Sequence, residues 1–357
     1  MENIKRLKKF WSKKRVLITG HTGFKGSWLS IILTYLNSTV DGYSLKPKKN
    51  SLFNKSMILE KLNSNTYGDI NDIKKLKDKI KKCRPEIVFH LAAQPLVLQS
   101  YKMPLKTFNT NIMGTLNLLE SIRDVKSIKS VVIITTDKVY KIRKNNKSYK
   151  ELDELGGHDP YSASKVCTEI VVDSYIKSFF KNTGLQNKIS TARAGNVIGG
   201  GDYSKFRLIP DIIYAINNNV KLNIRNPNHI RPWQHVLDPL MGYLTLAQKQ
   251  FKNKINNDQH AWNFGPNKNN FKKVIDIVKH IKKSEKLEYT LIKDIKFKET
   301  NILKLSSLKA KKKLNWVSRW NLSESLAKTL EWNNNTQKGI SAKNMCERQF
   351  LMHINKK

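Results

Sequence analysis

The stretch "RVLITGHTGFKGSWLSIILTYL", residues 15–36, decides the fold of this chain. Its opening "RVLITG" is a short, largely apolar run that reads as a buried strand, and the residues from Phe24 onward have helical spacing. Between the two, Gly20, Gly23 and Gly26 make a GxxGxxG turn. Glycines at such a turn let the backbone approach a pyrophosphate, whose charge then sits at a helix N-terminus. A tight turn without a ligand also uses glycine. This turn opens the first strand–helix–strand unit of the chain, which favours a dinucleotide.

Outward from the turn the alternation continues. "TVDGYSL", "EIVFHLAA", "SVVIITT" and "ISTARAG" read as strands. "DINDIKKLKDKIKK", with Ile70, Ile73, Leu76 and Ile80 on one face, reads as a helix, as do "TFNTNIMGTLNLLESI" and "SASKVCTEIVVDSYIKSFF". Strands separated by helices of this length predict a Rossmann-type α/β fold, a doubly wound parallel sheet covered on both faces. After residue 195 the pattern loosens. We expect a dinucleotide-binding domain over 1–195 and a smaller, mainly substrate-binding domain over 196–357, with segments crossing between them. An acid after the second strand often holds the adenosine ribose. Here that place holds Ser44, with Lys46 nearby and Asp41 inside the strand, so the residues leave NAD and NADP both open.

Two further stretches carry chemistry. "VVIITTDKVY", residues 131–140, ends a core strand on Thr135, Thr136, Asp137 and Lys138. A strand reaching solvent would look the same, but "DPYSASK" follows one element later and places Tyr161 and Lys165 one helical turn apart. An ammonium near a phenol lowers the phenol's pKa. The phenolate can then take a proton from a substrate hydroxyl while hydride leaves for a nicotinamide.

The composition narrows the class. The chain has 357 residues, 39% of them hydrophobic, enough for a sizeable core. Its three cysteines, Cys83, Cys167 and Cys346, are scattered and form no CxxC pair, so neither a disulfide framework nor a metal site is predicted. The N-terminal segment lacks the apolar run of a signal peptide, and no stretch has the length of a membrane span, which predicts a cytoplasmic protein with no membrane partner. The formal charge of +38 comes mainly from lysines spread along the chain, as in "LKAKKKLNW". That spread reads as compositional drift on solvated positions, with attraction of an anionic small substrate as a compatible extra. A nucleic-acid-binding protein on an idle Rossmann scaffold is the rival class, and no nucleic-acid partner is expected.

With these residues in view, the chain resembles the extended short-chain dehydrogenase/reductases that act on nucleotide sugars. Within them it is similar to the CDP-glucose branch of the 4,6-dehydratases. The resemblance runs over residues 12–335 and rests on "GHTGFKGSWL", "HLAAQPLV", "TTDKVY", "LGGHDPYSASK", "AGNVIGGGDYS" and "RPWQHVLDPL". It implies bound NAD and CDP-glucose as substrate, with a related dTDP- or UDP-sugar dehydratase or epimerase as the alternative. Thr136 would hold the sugar 4-hydroxyl, Tyr161 would take its proton, and Asp137 would be the acid for the departing 6-hydroxyl. Lys138 stands where the dTDP-glucose branch has the Glu that serves as C5 base, so the base is either a neutral Lys138 or another group, with Lys138 then an anchor. The cofactor would lie on Gly20, Thr22, Gly23, Phe24, Lys25, Gly26, Ser44, Asp69, Ile70, Leu91, Ala92, Ala93 and Asn111, besides Tyr161 and Lys165. Gln94 would face the sugar. Asn196, Arg231 and the weaker candidate Arg207 would bind the diphosphate, and His235 is either a substrate contact or a core histidine. His21, in the glycine turn, would touch cofactor phosphate or the glucose end. The resemblance further implies a homodimer or homotetramer and a place in deoxysugar and O-antigen lipopolysaccharide synthesis.

Overall fold

The computed structural model describes residues 2–143, 147–255, 260–292 and 301–356. The glycine turn lies at the centre of a seven-stranded sheet. The strands are β1 (Arg15–Thr19), β2 (Thr39–Ser44), β3 (Ser64–Tyr67), β4 (Ile87–His90), β5 (Ser130–Ile134), β6 (Ile189–Ala194) and β7 (Ala261–Phe264). Their spatial order is β7-β6-β5-β4-β1-β2-β3, with every neighbouring pair parallel. The chain runs from β1 to β2 and β3 on one side and then crosses back to β4 on the other side of β1. This is the point at which ligands of open α/β sheets bind, outside the carboxyl ends of the strands.

Helices cover both faces. These are α1 (Glu2–Trp11), α2 (Phe24–Tyr35), α3 (Ile73–Cys83), α4 (Gly114–Ile122), α5 (Pro160–Tyr175), α6 (Leu208–Asn218), α7 (Leu237–Phe251), α8 (Leu322–Gln337) and α9 (Ala342–Asn355). One core cluster packs Trp11, Trp28, Phe89, Val132, Trp262, Trp332 and Phe350 on one face of the sheet. A second joins Leu17, Val88, Leu118, Val131 and Val172 on the other. Val88 and Phe89 are adjacent in β4 yet belong to opposite clusters, as the two-residue period of a strand buried on both faces requires.

The sequence expectations meet the structure with two corrections. Helix α3 starts at Ile73, because the Asp72 carboxylate accepts the Lys75 N–H and caps it there. Ile70 is therefore buried in the preceding loop. The polar strand β3 was not foreseen, since "SNTY" has little apolar signal. Strand β7, from beyond residue 195, pairs with β6 along its outer side.

Candidate active site

A cavity of about 700 Å³ runs across the carboxyl ends of the strands, from the glycine turn to residues 222–226 and Arg231. At one end, Gly20 has φ +76° and packs so closely that a Cβ there would lie 2.6 Å from the Ala92 nitrogen. A Cβ on Gly26 would lie 2.2 Å from the Gly20 carbonyl, so the first turn of α2 rests directly on the loop. A Cβ on Gly23 would approach only the Gly20 oxygen, at 3.3 Å, and Gly23 precedes α2 with no side-chain cap. The uncapped helix start thus faces the cavity, which suits a phosphate. Thr22 and Ser44 are hydrogen-bonded through their hydroxyls at 2.8 Å, and Thr22 also donates to the Leu45 carbonyl. Asp69 accepts from the backbone and side chain of Asn71. Thr22, Phe24, Lys25, Ser44, Asp69, Ile70, Leu91, Ala92 and Ala93 all line the cavity. The donor set fits a dinucleotide: a glycine-rich helix start, an acid further along the rim, and small residues at the end of β4.

The other end presents the chemistry. Strand β5 delivers Thr135, Thr136 and Asp137, each 4% exposed. The Thr136 hydroxyl donates to Asp137 Oδ1 at 3.2 Å and is hydrogen-bonded to Tyr161. Asp159 fixes the start of α5 by accepting the backbone and side-chain protons of Ser162, while the Tyr161 N–H donates to Ser100. Tyr161 and Lys165 therefore share one helix face beneath the end of β5. The Lys165 ammonium, however, donates to the Ile134 carbonyl at 3.1 Å. Burial pushes the Tyr161 phenol up to about 12 and Lys165 down to about 8. The expected lowering of Tyr161 by Lys165 is thus not what the site shows. The influences that pull Tyr161 back down are the Thr136 hydrogen bond and the charge of Arg207.

Asp137 settles a competition that sequence alone leaves open. Burial raises its pKa, while Lys138 and Arg231 oppose the rise less strongly. Its Oδ2 has no hydrogen-bond partner among the described residues and lies where a Cβ on Gly195 would sit 3.1 Å away. Burial favours a protonated carboxyl directed at the cavity. Arg207 pairs with Asp202 at 2.9 Å, and Arg231 contacts the Ile230 and Asn301 carbonyls and His229 Nδ1. Both arginines line the cavity with Asn196 and Lys138.

Four named candidates lie elsewhere. Gln94 folds back on its own loop, contacting Leu96 and the Thr107 hydroxyl. Asn111 accepts the Gln94 N–H and donates to the Gln94 carbonyl and Ser164, which braces the loop from behind. His235 is fully buried between the rings of Trp28 and Trp320, where it packs instead of meeting a ligand. His21 turns away from the cavity to Asn65, and burial pushes its pKa down to about 4. Conversely, the cavity recruits Phe206, Arg225 and His229, which no motif marked. The one local signal is the polar and aromatic "YSKFR" before α6.

The comparisons agree with this geometry. The family model described as GDP-mannose 4,6 dehydratase matches residues 17–329. A CDP-glucose 4,6-dehydratase of Salmonella typhimurium is 44% identical over 331 residues, covering 91% of this chain and 92% of that protein. A dTDP-D-glucose 4,6-dehydratase of Dictyostelium discoideum is 28% identical, covering 66% of this chain and 56% of the relative. Among solved structures, dTDP-glucose 4,6-dehydratase from Bacillus anthracis in complex with NAD superposes with a TM-score of 0.76 at 21% identity, covering 90% and 97% of the two chains. UDP-glucuronic acid 4-epimerase from Bacillus cereus gives 0.75 at 21%, covering 90% and 99%. The glycine turn on β1, the Tyr-Lys face of α5 and the match over residues 17–329 together place this chain in the GDP-mannose 4,6 dehydratase family.

Proposed function

We propose that this chain is a CDP-glucose 4,6-dehydratase that holds NAD on its glycine turn. The observation that carries this reading is the buried Asp137, hydrogen-bonded to Thr136 beside Tyr161 in the cavity that begins at Gly20, where burial raises its pKa. An epimerase needs only the hydroxyl and the phenol; an elimination also needs an acid. When bound, NAD supplies reversible hydride transfer, from C4 at the start and back to C6 at the end, so the cycle is redox-neutral. Tyr161 takes the proton of the 4-hydroxyl, which Thr136 orients. The C4 ketone then acidifies the C5 hydrogen, whose removal we assign to Lys138. Asp137 gives its proton to the departing 6-hydroxyl. Arg207 and Arg231 hold the diphosphate, a task suited to guanidinium geometry. The 44% identity to a protein named CDP-glucose 4,6-dehydratase supports cytidine over thymidine or uridine as the base.

The same reading extends outward. The exposed apolar side chains of Leu105, Met113 and Ile170, on the helices at 104–122 and in α5, support a homodimer or a homotetramer. The cysteines, all free, suit a cytoplasmic enzyme, and the similarity to a CDP-glucose 4,6-dehydratase supports a place in deoxysugar and O-antigen synthesis. The test is incubation with CDP-, dTDP- and UDP-glucose, reading the alkaline absorbance of a 4-keto product. Product from CDP-glucose without net NADH is expected. Product from another nucleotide alone overturns the base assignment, and NADH rising in step with product overturns the dehydratase.

A further inference from the structure

One turn beyond Lys165, the same face of α5 carries Glu169, which is 2% exposed and has no part in the steps above. Its carboxylate is fully engaged. Oε1 accepts from the Thr135 hydroxyl at 2.5 Å and from Arg193 Nε at 2.9 Å. Oε2 accepts from the Thr191 hydroxyl at 2.6 Å and from Arg193 Nη2 at 2.9 Å. Lys165 and Glu169 thus grip consecutive residues of the catalytic strand, one at the Ile134 carbonyl and the other at the Thr135 side chain. The next two residues are Thr136 and Asp137.

We propose that Glu169 is a positioning residue for this reaction: it supplies the counter-charge for Lys165 and anchors the strand end that presents Thr136 and Asp137. The proposal rests on the assignment of Tyr161 and Lys165 given above. Burial works against a charge on Glu169, but the Arg193 guanidinium and the two threonine hydroxyls hold its carboxyl below the usual range, so it stays ionised. Burial likewise works against a charge on Lys165, and Glu169 is the charge that opposes it. Arg193 spends its remaining donors away from Lys165, on the Tyr140 hydroxyl and the Glu151 carbonyl. Other titratable groups surround this axis. Burial pushes His90 of β4 and Lys25 of the glycine turn down, and the Lys165 charge adds to that shift in both. Asp137 and Arg207 act on Lys25 and, with Asp159, on Tyr161. Glu151 and Lys309 feel the Arg193 charge, and His260 feels Glu169 and Asp173 as well as Arg193.

A purely structural ion pair would change stability and leave Lys165 titrating as before, which gives the test. Glu169→Gln alone leaves Arg193 as a buried unpaired cation, so Glu169→Gln/Arg193→Gln, a neutral hydrogen-bonding pair, is made beside it. Trace labelling of the full-length protein with acetic anhydride across a pH series, read by peptide mass spectrometry, reports the midpoint of Lys165. Loss of the carboxylate is expected to move that midpoint down by about one pH unit from about 8, which raises the unprotonated fraction, and with it labelling, at pH 7 roughly fivefold. The basic limb of kcat/KM should move the same way. An unchanged midpoint in either folded variant overturns the proposal, and failure of both variants to fold assigns Glu169 a structural role only. The labelling needs no turnover, so an error in the substrate assignment would leave its result intact.

Discussion

Asp137 and Tyr161 meet at the end of β5 with opposite requirements. One must hold a proton, the other must lose one, and burial pushes both pKa values upward. For Asp137 that is help. A carboxyl raised above its ordinary value stays protonated to higher pH, and activity that depends on it is present below the raised pKa and falls as pH rises through it. Asp137→Asn removes this donor while leaving Tyr161 and Lys165 in place. Oxidation at C4 should survive, seen as transient enzyme-bound NADH on mixing with CDP-glucose. The yield of 4-keto-6-deoxy product should drop by about 10²–10⁴-fold, the usual worth of a positioned acid. Dehydration at the wild-type rate would place the acid on another residue. For Tyr161 burial is a hindrance, and the sequence misjudged the remedy. Spacing puts Lys165 on the right helix face, but only coordinates show its ammonium turned to the Ile134 carbonyl while Arg207, remote in sequence, acts on the phenol.

Elements were legible where the chain repeats a period and illegible where tertiary contacts decide. The turn from β1 to α2 was readable because its glycines answer to sterics that any ligand-free backbone also feels. Gly26→Ala places a methyl 2.2 Å from the Gly20 carbonyl, and the colliding atoms are backbone that cannot rotate aside. The start of α2 must shift outward, at a cost of about 1–3 kcal/mol for such overpacking. The melting temperature should fall, and NAD affinity, followed by fluorescence titration, should weaken with it. Wild-type values for both would show that the close packing of loop and helix is not needed. Strand β3, by contrast, is polar and only partly buried, so it carries no apolar signal. Gln94 and Asn111 sit beside cavity-lining neighbours, yet hydrogen bonds to Thr107 and Ser164 aim their side chains elsewhere, which no local pattern encodes.

At the scale of the molecule, packing runs across the division expected near residue 195. Trp28 donates to the Gly200 carbonyl at 2.9 Å, Trp332 packs over Gly200, and β7 extends the sheet beyond β6. One core cluster draws on Val132 and on Phe350, so the two halves share their interior. Three histidines of the folded chain are buried, and burial favours their neutral form. Burial pushes His90 down to about 3, His21 to about 4 and His235 well below its ordinary value. In the unfolded chain each takes a proton near pH 6.5. Their contribution to stability is therefore present above that pH and is lost as pH falls from it toward the folded values. Each adds a slope of up to about 1.4 kcal/mol per pH unit. Between pH 6.5 and 5 the melting temperature should drop steeply, in one calorimetric transition because the halves share a core. His235→Phe keeps an aromatic ring against Trp28 and Trp320 and removes one titrating group. Its melting temperature should depend less on pH over the same interval. An equally steep profile in the variant would mean that His235 does not contribute to the acid sensitivity.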